Sequence, residues 1–352
     1  MENKAKKKMS PLVIIVLVLL LLAITLCGVV AGLWFYGKSS LEQETEAPTL
    51  PVNKTEQSEE VETQETTDSI IEYSGKRYQY NKNMVNILLL GIDSSEDPDE
   101  AFGNADQADV LVLVALDLKS NKMTLINVSR DIMCDVELVE TDGTHTGLRH
   151  TQLALSYAFG DGQHESCELT RDAVSNLFYG LPIQGYAAYY MSGIRELNDA
   201  VGGVTVTILD DYPFTHIYQV RDMVAGKTMR LNGLQAEYYI RCRLEDRADA
   251  HELRMKRQKQ YMLALISTAK EKVLENPASI LKLYDSVDDY ILTDLGVGQI
   301  SYLATKAAGM EFEGDFRKLT GKLVEVDNVA GLHVDQESLY DLMLEVFYTE
   351  VS

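Results

Sequence analysis

Basic charge is what this sequence most conspicuously lacks. Its 352 residues hold 32 lysines and arginines against 54 aspartates and glutamates, a formal net charge of -22. A nucleic-acid-binding chain normally carries a basic footprint, and no helix-turn-helix pattern is visible, so the sequence points to no nucleic acid partner. Overall acidity does not exclude an anionic ligand, because charges more than about 8 Å away are largely screened at physiological salt. Cysteine is scarce too. Beyond Cys27, only Cys134, Cys167 and Cys242 remain; their spacing fits no zinc motif and their odd number makes no complete disulfide framework, although one bridge is open to them. The histidines at 145, 150, 164, 216, 251 and 333 are scattered without metal spacing, and no internal repeat appears.

Long apolar runs are not lacking. Leu12 to Tyr36 carries no charge and is mostly Leu, Ile and Val, long enough to cross a hydrocarbon core of about 30 Å at 1.5 Å per helical residue. Lysines 4, 6, 7 and 8 precede it and glutamates follow, so the positive-inside rule keeps the N-terminus in the cytoplasm and puts the rest outside. The run exceeds the roughly 7–15 apolar residues of a cleaved signal peptide. The expected organisation is a cytoplasmic basic tail over residues 1–10, an N-terminal transmembrane helix over 11–36, and a disordered acidic stalk over 37–79. A single extracytoplasmic domain over 80–352 then follows.

Inside that domain, Val85 to Leu90 is a continuous apolar run ending in Gly91-Ile92-Asp93, which reads as a buried strand with an acid at its C-terminal edge. That edge is where open α/β sheets place their sites. Asp109 opens a second apolar run, Val110 to Leu116, and Met123 to Val128 supplies a third, followed by Ser129-Arg130-Asp131. Asp93 and Asp109 have the chemistry to hold one Mg²⁺, which binds through one or two carboxylates plus waters and phosphate oxygens. Singly, each acid is equally suited to capping a turn or pairing with an arginine. Further on, Tyr238 to Arg243 reads as a strand that would aim Arg241 and Arg243 from one face. His251 to Lys270 reads as a helix carrying Arg254, Arg257 and Gln258 on one stripe, with pairing to a core-facing acid as the alternative for Arg257. Guanidinium forks match phosphate oxygens, so the cluster suits a phosphate or pyrophosphate. A salt-bridged face is the competing reading, since Glu245, Asp246, Asp249 and Glu252 lie nearby.

An ordered set of motifs adds a resemblance. Asn86 to Asp93, Ala108-Asp109-Val110, Val128-Ser129-Arg130-Asp131, Ala200 to Val204, Leu231 to Ala236, Tyr239 to Arg243 and Arg254-Met255-Lys256-Arg257-Gln258 resemble, in order and spacing, the LytR-CpsA-Psr family of cell-envelope proteins. The resemblance implies an enzyme outside the cytoplasmic membrane that moves a glycopolymer from a polyprenyl-pyrophosphate carrier to peptidoglycan through a phosphodiester link. It implies Mg²⁺ on Asp93 and Asp109, with Arg130, Arg241, Arg243, Arg254 and Gln258 around the pyrophosphate. Asp131 would orient Arg130 or act as a base. Two positions depart from the family pattern. Gln152 stands where the family often has Lys, and Arg149, read as one helical turn earlier, would supply the missing charge. His251 stands where an acid is common.

Tyr186, Tyr189, Tyr190 and Met191 read either as a channel for a lipid tail or as strand packing. The expected fold is α/β in three layers, α/β/α with a mixed central sheet. Strands are read near 85, 109, 123, 186, 204 and 238, helices near 150, 168, 192 and 252, and added strands and a helix beyond Glu311. A polymer-binding regulatory module and a pyrophosphatase remain the alternatives to the transferase.

Overall fold

The structure is a computed structural model that describes residues 31–43, 45–51, 70–92, 107–139, 143–211, 220–242, 249–326 and 329–351. Asp93, Arg243, the side chain of His251 and residues 11–30 of the expected anchor lie outside that set. Among the described residues, no helix is long and apolar enough to cross a membrane.

The apolar run Met84–Ile92 forms β3 (strands are numbered along the chain), and it lies inside a six-stranded sheet. Its neighbours are β4 (Ala108–Asp117), β5 (Lys122–Val128), β8 (Gly185–Tyr190), β11 (Ile291–Thr293) and β12 (Glu311–Lys318), in the order β11-β8-β3-β4-β5-β12. β3 runs parallel to β8 and antiparallel to β4, and β5 runs parallel to β12, so the sheet is mixed as expected. Helices cover both faces, which is why these strands are near-continuously apolar and not alternating.

On one face, α2 (His164–Leu177) and α8 (Gln336–Phe347) pack on Leu88, Leu90, Leu111 and Leu113. On the other, α5 (Ala250–Glu275) and α7 (Val297–Gly309) cover Val85, Ile87 and Val112 through Met262, Ile266 and Tyr302. A further cluster joins α5 to α3 (Ile194–Ala200), α4 (Gly233–Arg241) and the pair β9 (Val204–Thr207) and β10 (Thr228–Leu231). Gly202 and Gly203, both at positive φ near 90°, make the tight turn from α3 into β9, a conformation only glycine takes cheaply.

Three expectations are corrected. Tyr238 to Arg241 is the end of α4, not a strand: Asn232 Oδ1 accepts from Gln235 N at 2.9 Å and Gln235 Oε1 accepts from Asn232 N at 3.0 Å, a reciprocal capping box that starts a helix. Residues His145–Gln152 form β7, hairpinned on β6 (Met133–Val139), and among the described residues the helix that follows is the short α1 (Leu155–Ala158). The expected stalk is in part structured. Residues 70–80 form β1 (Ile70–Tyr73) and β2 (Lys76–Tyr80), the latter paired with β15 (Tyr348–Val351).

Residues 31–41 are helical and lie on α7: Trp34 Nε1 donates to Thr305 Oγ1 at 3.0 Å, and a Cβ on Gly37 would meet the Gly298 carbonyl carbon at 2.3 Å. Leu41 and Leu50 are buried, and Thr49 N donates to Tyr179 O at 2.8 Å. A polar composition therefore concealed two apolar anchors. A chain beginning at residue 70 is expected to melt several degrees below one beginning at residue 31, since the two leucines alone contribute roughly 1.5–3 kcal/mol each. Equal melting temperatures by circular dichroism would show that the segment adds nothing to the domain.

Candidate functional site

β3, β5 and β8 all point their C-terminal ends the same way, and the site residues gather at that edge. Asp109 sits at the start of antiparallel β4, so it arrives at the same edge. Arg130 follows β5 directly, and its Nη1 donates to Asp109 Oδ1. The Arg130 Nε stands 3.6 Å from Asp131 Oδ1. The turn that carries these two is stitched on both sides: Ala154 N donates to Arg130 O at 3.0 Å, and Leu332 N donates to Asp131 O at 2.8 Å. Together with Arg254, Met255 and Gln258 of α5, they line a cleft of about 110 Å³ whose wall includes Gly91. A Cβ at Gly91 would approach Val110 Cβ to 3.0 Å, so the close strand contact at the cleft favours glycine. The structure thus brings together Asp109, Arg130, Asp131, Arg254 and Gln258, five of the residues singled out by sequence.

The remainder are placed differently. Gln152 ends β7 and donates through Nε2 to Ala330 O at 2.8 Å, with Asp131 Oδ1 at 3.5 Å, so it neighbours Asp131 without lining the cleft. Arg149 is three residues away on the same strand, exposed and opposite Val136. On a strand that spacing puts the two side chains on opposite faces, so the one-helical-turn reading of Arg149 is corrected. Arg241 lies in the last turn of α4, its Nη1 3.7 Å from Glu237 Oε1. With α4 a helix and Arg243 outside the described residues, no common strand face aims the two together.

Arg257 departs furthest from the expected stripe. Its side chain is 1% exposed and its Nη1 stands 3.1 Å from Asp210 Oδ2. Its Nη2 donates to Cys242 O, while Gln258 Nε2 donates to Ile240 O at 3.2 Å. The carbonyls at the end of α4 are therefore met by side chains of α5. Arg257 builds the wall that holds Arg254 and Gln258 at the cleft, and its guanidinium is taken up inside the protein. Of the two readings open for Arg257, the structure takes the core-facing acid, and that acid is Asp210, which closes the apolar β9 segment.

Beside the cleft lies a second cavity of about 210 Å³, lined almost wholly by apolar side chains of β3, β4, α3 and α5. Gly91, Val110, Met191 and Gln258 border both spaces. Leu89, in a strand with neighbours on each side, is still 38% exposed because this cavity lies over it. Of the tyrosine group, Tyr186 and Tyr190 are buried in the opposite face of the sheet, whereas Tyr189 and Met191 line the cavity. The alternation of a strand divides the two roles among neighbours. Cys134, Cys167 and Cys242 are buried and unbonded; burial pushes the Cys134 thiol up to about 12, so it is no nucleophile at neutral pH. Among the described residues, no group of three or more His, Cys, Asp or Glu side chains is arranged to hold a metal.

Replacing Arg257 by Leu strands the Asp210 carboxylate in the interior, a change that typically costs about 3–5 kcal/mol. Chemical denaturation should show that loss for Arg257→Leu and substantial recovery in the double variant with Asp210→Leu. A single variant as stable as the wild type would mean that the pair does not hold the segment after β9 to α5.

Known proteins share this architecture. An Enterococcus faecalis protein named polyisoprenyl-teichoic acid–peptidoglycan teichoic acid transferase TagU is 27% identical over 273 residues, covering 76% of this chain and 80% of its own length. A Streptococcus mutans protein named biofilm regulatory protein A is 30% identical over 231 residues, covering 64% of this chain and 53% of its own. The crystal structure of Bacillus subtilis TagV matches at a TM-score of 0.57 and 23% identity, over 75% of this chain and 96% of that one, a likeness of fold. The sequence profile of the LytR_cpsA_psr family matches residues 39–345, and the chain belongs to that family.

Proposed function

We propose that this protein is an envelope phosphotransferase that moves a glycopolymer from a polyprenyl-pyrophosphate carrier to peptidoglycan and forms a phosphodiester link. The observation that carries the reading is the junction of two unlike spaces, an arginine-bordered cleft opening onto an apolar cavity, with Gly91, Val110, Met191 and Gln258 in both walls. A ligand suited to both has a multiply charged head and an apolar tail, as a polyprenyl pyrophosphate does. The transferase names of the TagU proteins from Enterococcus faecalis and Bacillus subtilis support the same donor and acceptor classes.

In this reaction the oxygen of an acceptor hydroxyl attacks the sugar-linked phosphorus. The bond from that phosphorus to the bridging oxygen breaks, and polyprenyl phosphate leaves with the electron pair. Positioning and charge neutralisation supply most of the catalysis in such transfers. Arg130 and Arg254 would grip the diphosphate from opposite walls, with Gln258 beside them. Arg241 and Arg243 would join from the end of α4 and the segment after it. Asp131, half-exposed at the cleft and neighboured by Gln152, is suited to orient Arg130 and to take the hydroxyl proton. Arg257 acts here by holding that wall. Arg149, on an exposed strand, would meet substrate only outside the cleft.

The oxygen donors suit Mg²⁺. Asp109 opens on the cleft as a hard carboxylate, and Mg²⁺ needs only one or two such ligands when phosphate oxygens and water complete its shell. Asp109 and Asp93 would hold it, and when bound it would neutralise charge on the diphosphate. The same reading has the membrane crossed by residues 11–30, the part of the expected 11–36 span that precedes the helix lying on α7, with residues 1–10 in the cytoplasm and the catalytic domain outside, next to a lipid-borne donor.

The test uses the full chain in detergent with Mg²⁺, a polyprenyl-pyrophosphate-linked sugar and peptidoglycan strands, following phosphorus products. Sugar phosphate joined to glycan is expected, and Arg130→Ala or Arg254→Ala should lower the rate on the order of 10²-fold, as for removal of an oxyanion donor. Release of polyprenyl phosphate without attachment would make the protein a pyrophosphatase, and binding without cleavage would make it a carrier-binding module. A charge in the apolar cavity, Leu265→Asp, should raise KM for a long-chain donor more than tenfold and leave a short-chain donor nearly unaffected. Equal effects on both would rule out the cavity as the tail site.

A further inference from the structure

The strand pair β13 (Gly321–Val326) and β14 (Val329–Val334) stands apart from the central sheet, its two members antiparallel along their whole length. It adds little to the core on its outer side, where Gly321, Lys322, Leu323 and Glu325 are exposed and Leu323 is 88% so. Among the described residues, it pairs with the rest of the chain at one bridge, parallel, between Leu332 and Ile132. Ile132 is the residue after Asp131, so the pair is fastened at the turn that carries Arg130 and Asp131.

The middle of β14 is tied to Asp131 in three ways. Leu332 N donates to Asp131 O at 2.8 Å. The Gln152 amide nitrogen donates to Ala330 O at 2.8 Å and stands 3.5 Å from Asp131 Oδ1. Both of these neighbours are acceptors, and an amide nitrogen carries two hydrogens, one for each. Gly331 then permits the close approach: a Cβ there would lie 3.2 Å from Asp131 O and 2.3 Å from Sδ of the buried Met133. On the other side of the turn, Ala154 N donates to Arg130 O at 3.0 Å and Leu153 N to Ile132 O at 2.7 Å. The carbonyls of three successive residues are thus each taken by an amide from another segment, and it is β14 that takes the one of Asp131.

Arg130 has support of its own, because its Nη1 donates to Asp109, and Arg254 and Gln258 reach the cleft from α5. The Asp131 carboxylate, by contrast, has the Gln152 amide beside it and Arg130 Nε at 3.6 Å. Packing of Leu332 and Val334 on the core explains why β14 lies here, but not why the Gln152 amide spans Ala330 O and that carboxylate.

We propose that Gln152 and β14 are positioning elements for the transfer, fixing the Asp131 carboxylate where it takes the acceptor hydroxyl's proton, while the diphosphate is held independently by Arg130 and Arg254. The proposal rests on the transferase reading for the part Asp131 plays. Neither Gln152 nor any residue of β14 lines the cleft, so both act through Asp131.

The experiment compares the full chain in detergent with its variants Gln152→Leu and Leu332→Pro, by transfer kinetics and by hydrogen exchange of residues 129–133. Proline at 332 removes the N–H that meets Asp131 O; that N–H points away from β13, so the ladder between the two strands is kept. Leu332→Ile, which retains the N–H, is the control. Misplacing a reacting group by about 1 Å costs on the order of 10²-fold, so kcat should fall roughly 10- to 100-fold in both variants. KM for the donor should stay within about threefold, the mark of an interaction made in the transition state. Leu332→Ile should behave as the wild type, and exchange at 129–133 should quicken in both variants. Gln152 is half-exposed, so Gln152→Leu tests the proposal even if the proline variant does not fold. An unchanged kcat in Gln152→Leu would overturn the proposal, as would a rise in donor KM with kcat preserved. A wild type that transfers nothing would discard the transferase reading, and exchange would then decide the positioning: protection lost in the variants retains it, and equal protection overturns it.

Discussion

The buried pair of Arg257 and Asp210 is the contact on which the site's geometry depends. It joins the segment after β9 to α5, and the same guanidinium meets the carbonyl of Cys242 just past the end of α4. Three elements that the chain makes far apart are thus locked at one point. An isolated buried ion pair is seldom a net source of stability, because desolvating two charges is expensive. What this one supplies is placement. With α5 fixed against α4, Arg254 and Gln258 stand at the cleft and the apolar side of α5 lies over Leu89 and Val110.

The mixed sheet completes the arrangement. β3 and β5 deliver their ends to one edge, and the antiparallel β4 between them starts there, so Asp109 and Arg130 meet although 21 residues apart. The strand pleat then separates functions by parity. On β8, Tyr186 and Tyr190 go into the core and Tyr189 faces the apolar cavity. One sheet edge therefore presents a cationic and an apolar environment side by side, an arrangement fitted to a lipid-borne anion.

Much of the fold was legible because it rests on local pattern. Continuous apolar runs at 85, 110 and 123 could only be buried strands, and the stripe after residue 250 could only be a long helix. The misreadings came where two patterns competed. Tyr238 to Arg243 alternates like a strand, but Asn232 and Gln235 upstream had already capped a helix, and a cap outweighs a short alternation. His145 to Gln152 has Leu148 as its one large apolar residue and is exposed except at its end, so no apolar periodicity marked it as β7, and its pairing with β6 decides its form.

By itself, the sequence determined the α/β class, the edge of the sheet where the site forms, and the residues Asp109, Arg130, Asp131, Arg254 and Gln258 that gather there. It also placed the chain in its family through the order of its motifs. Those features depend on side-chain periodicity and on residues adjacent to strand ends, which local spacing records. Only the tertiary structure decided that Arg257 turns inward while Arg254 faces the cleft, and that Leu41 and Leu50 fasten a polar segment to the domain. Each of these results from contacts between segments remote in sequence, and neither a buried charge nor an anchor has a local pattern from which it can be read.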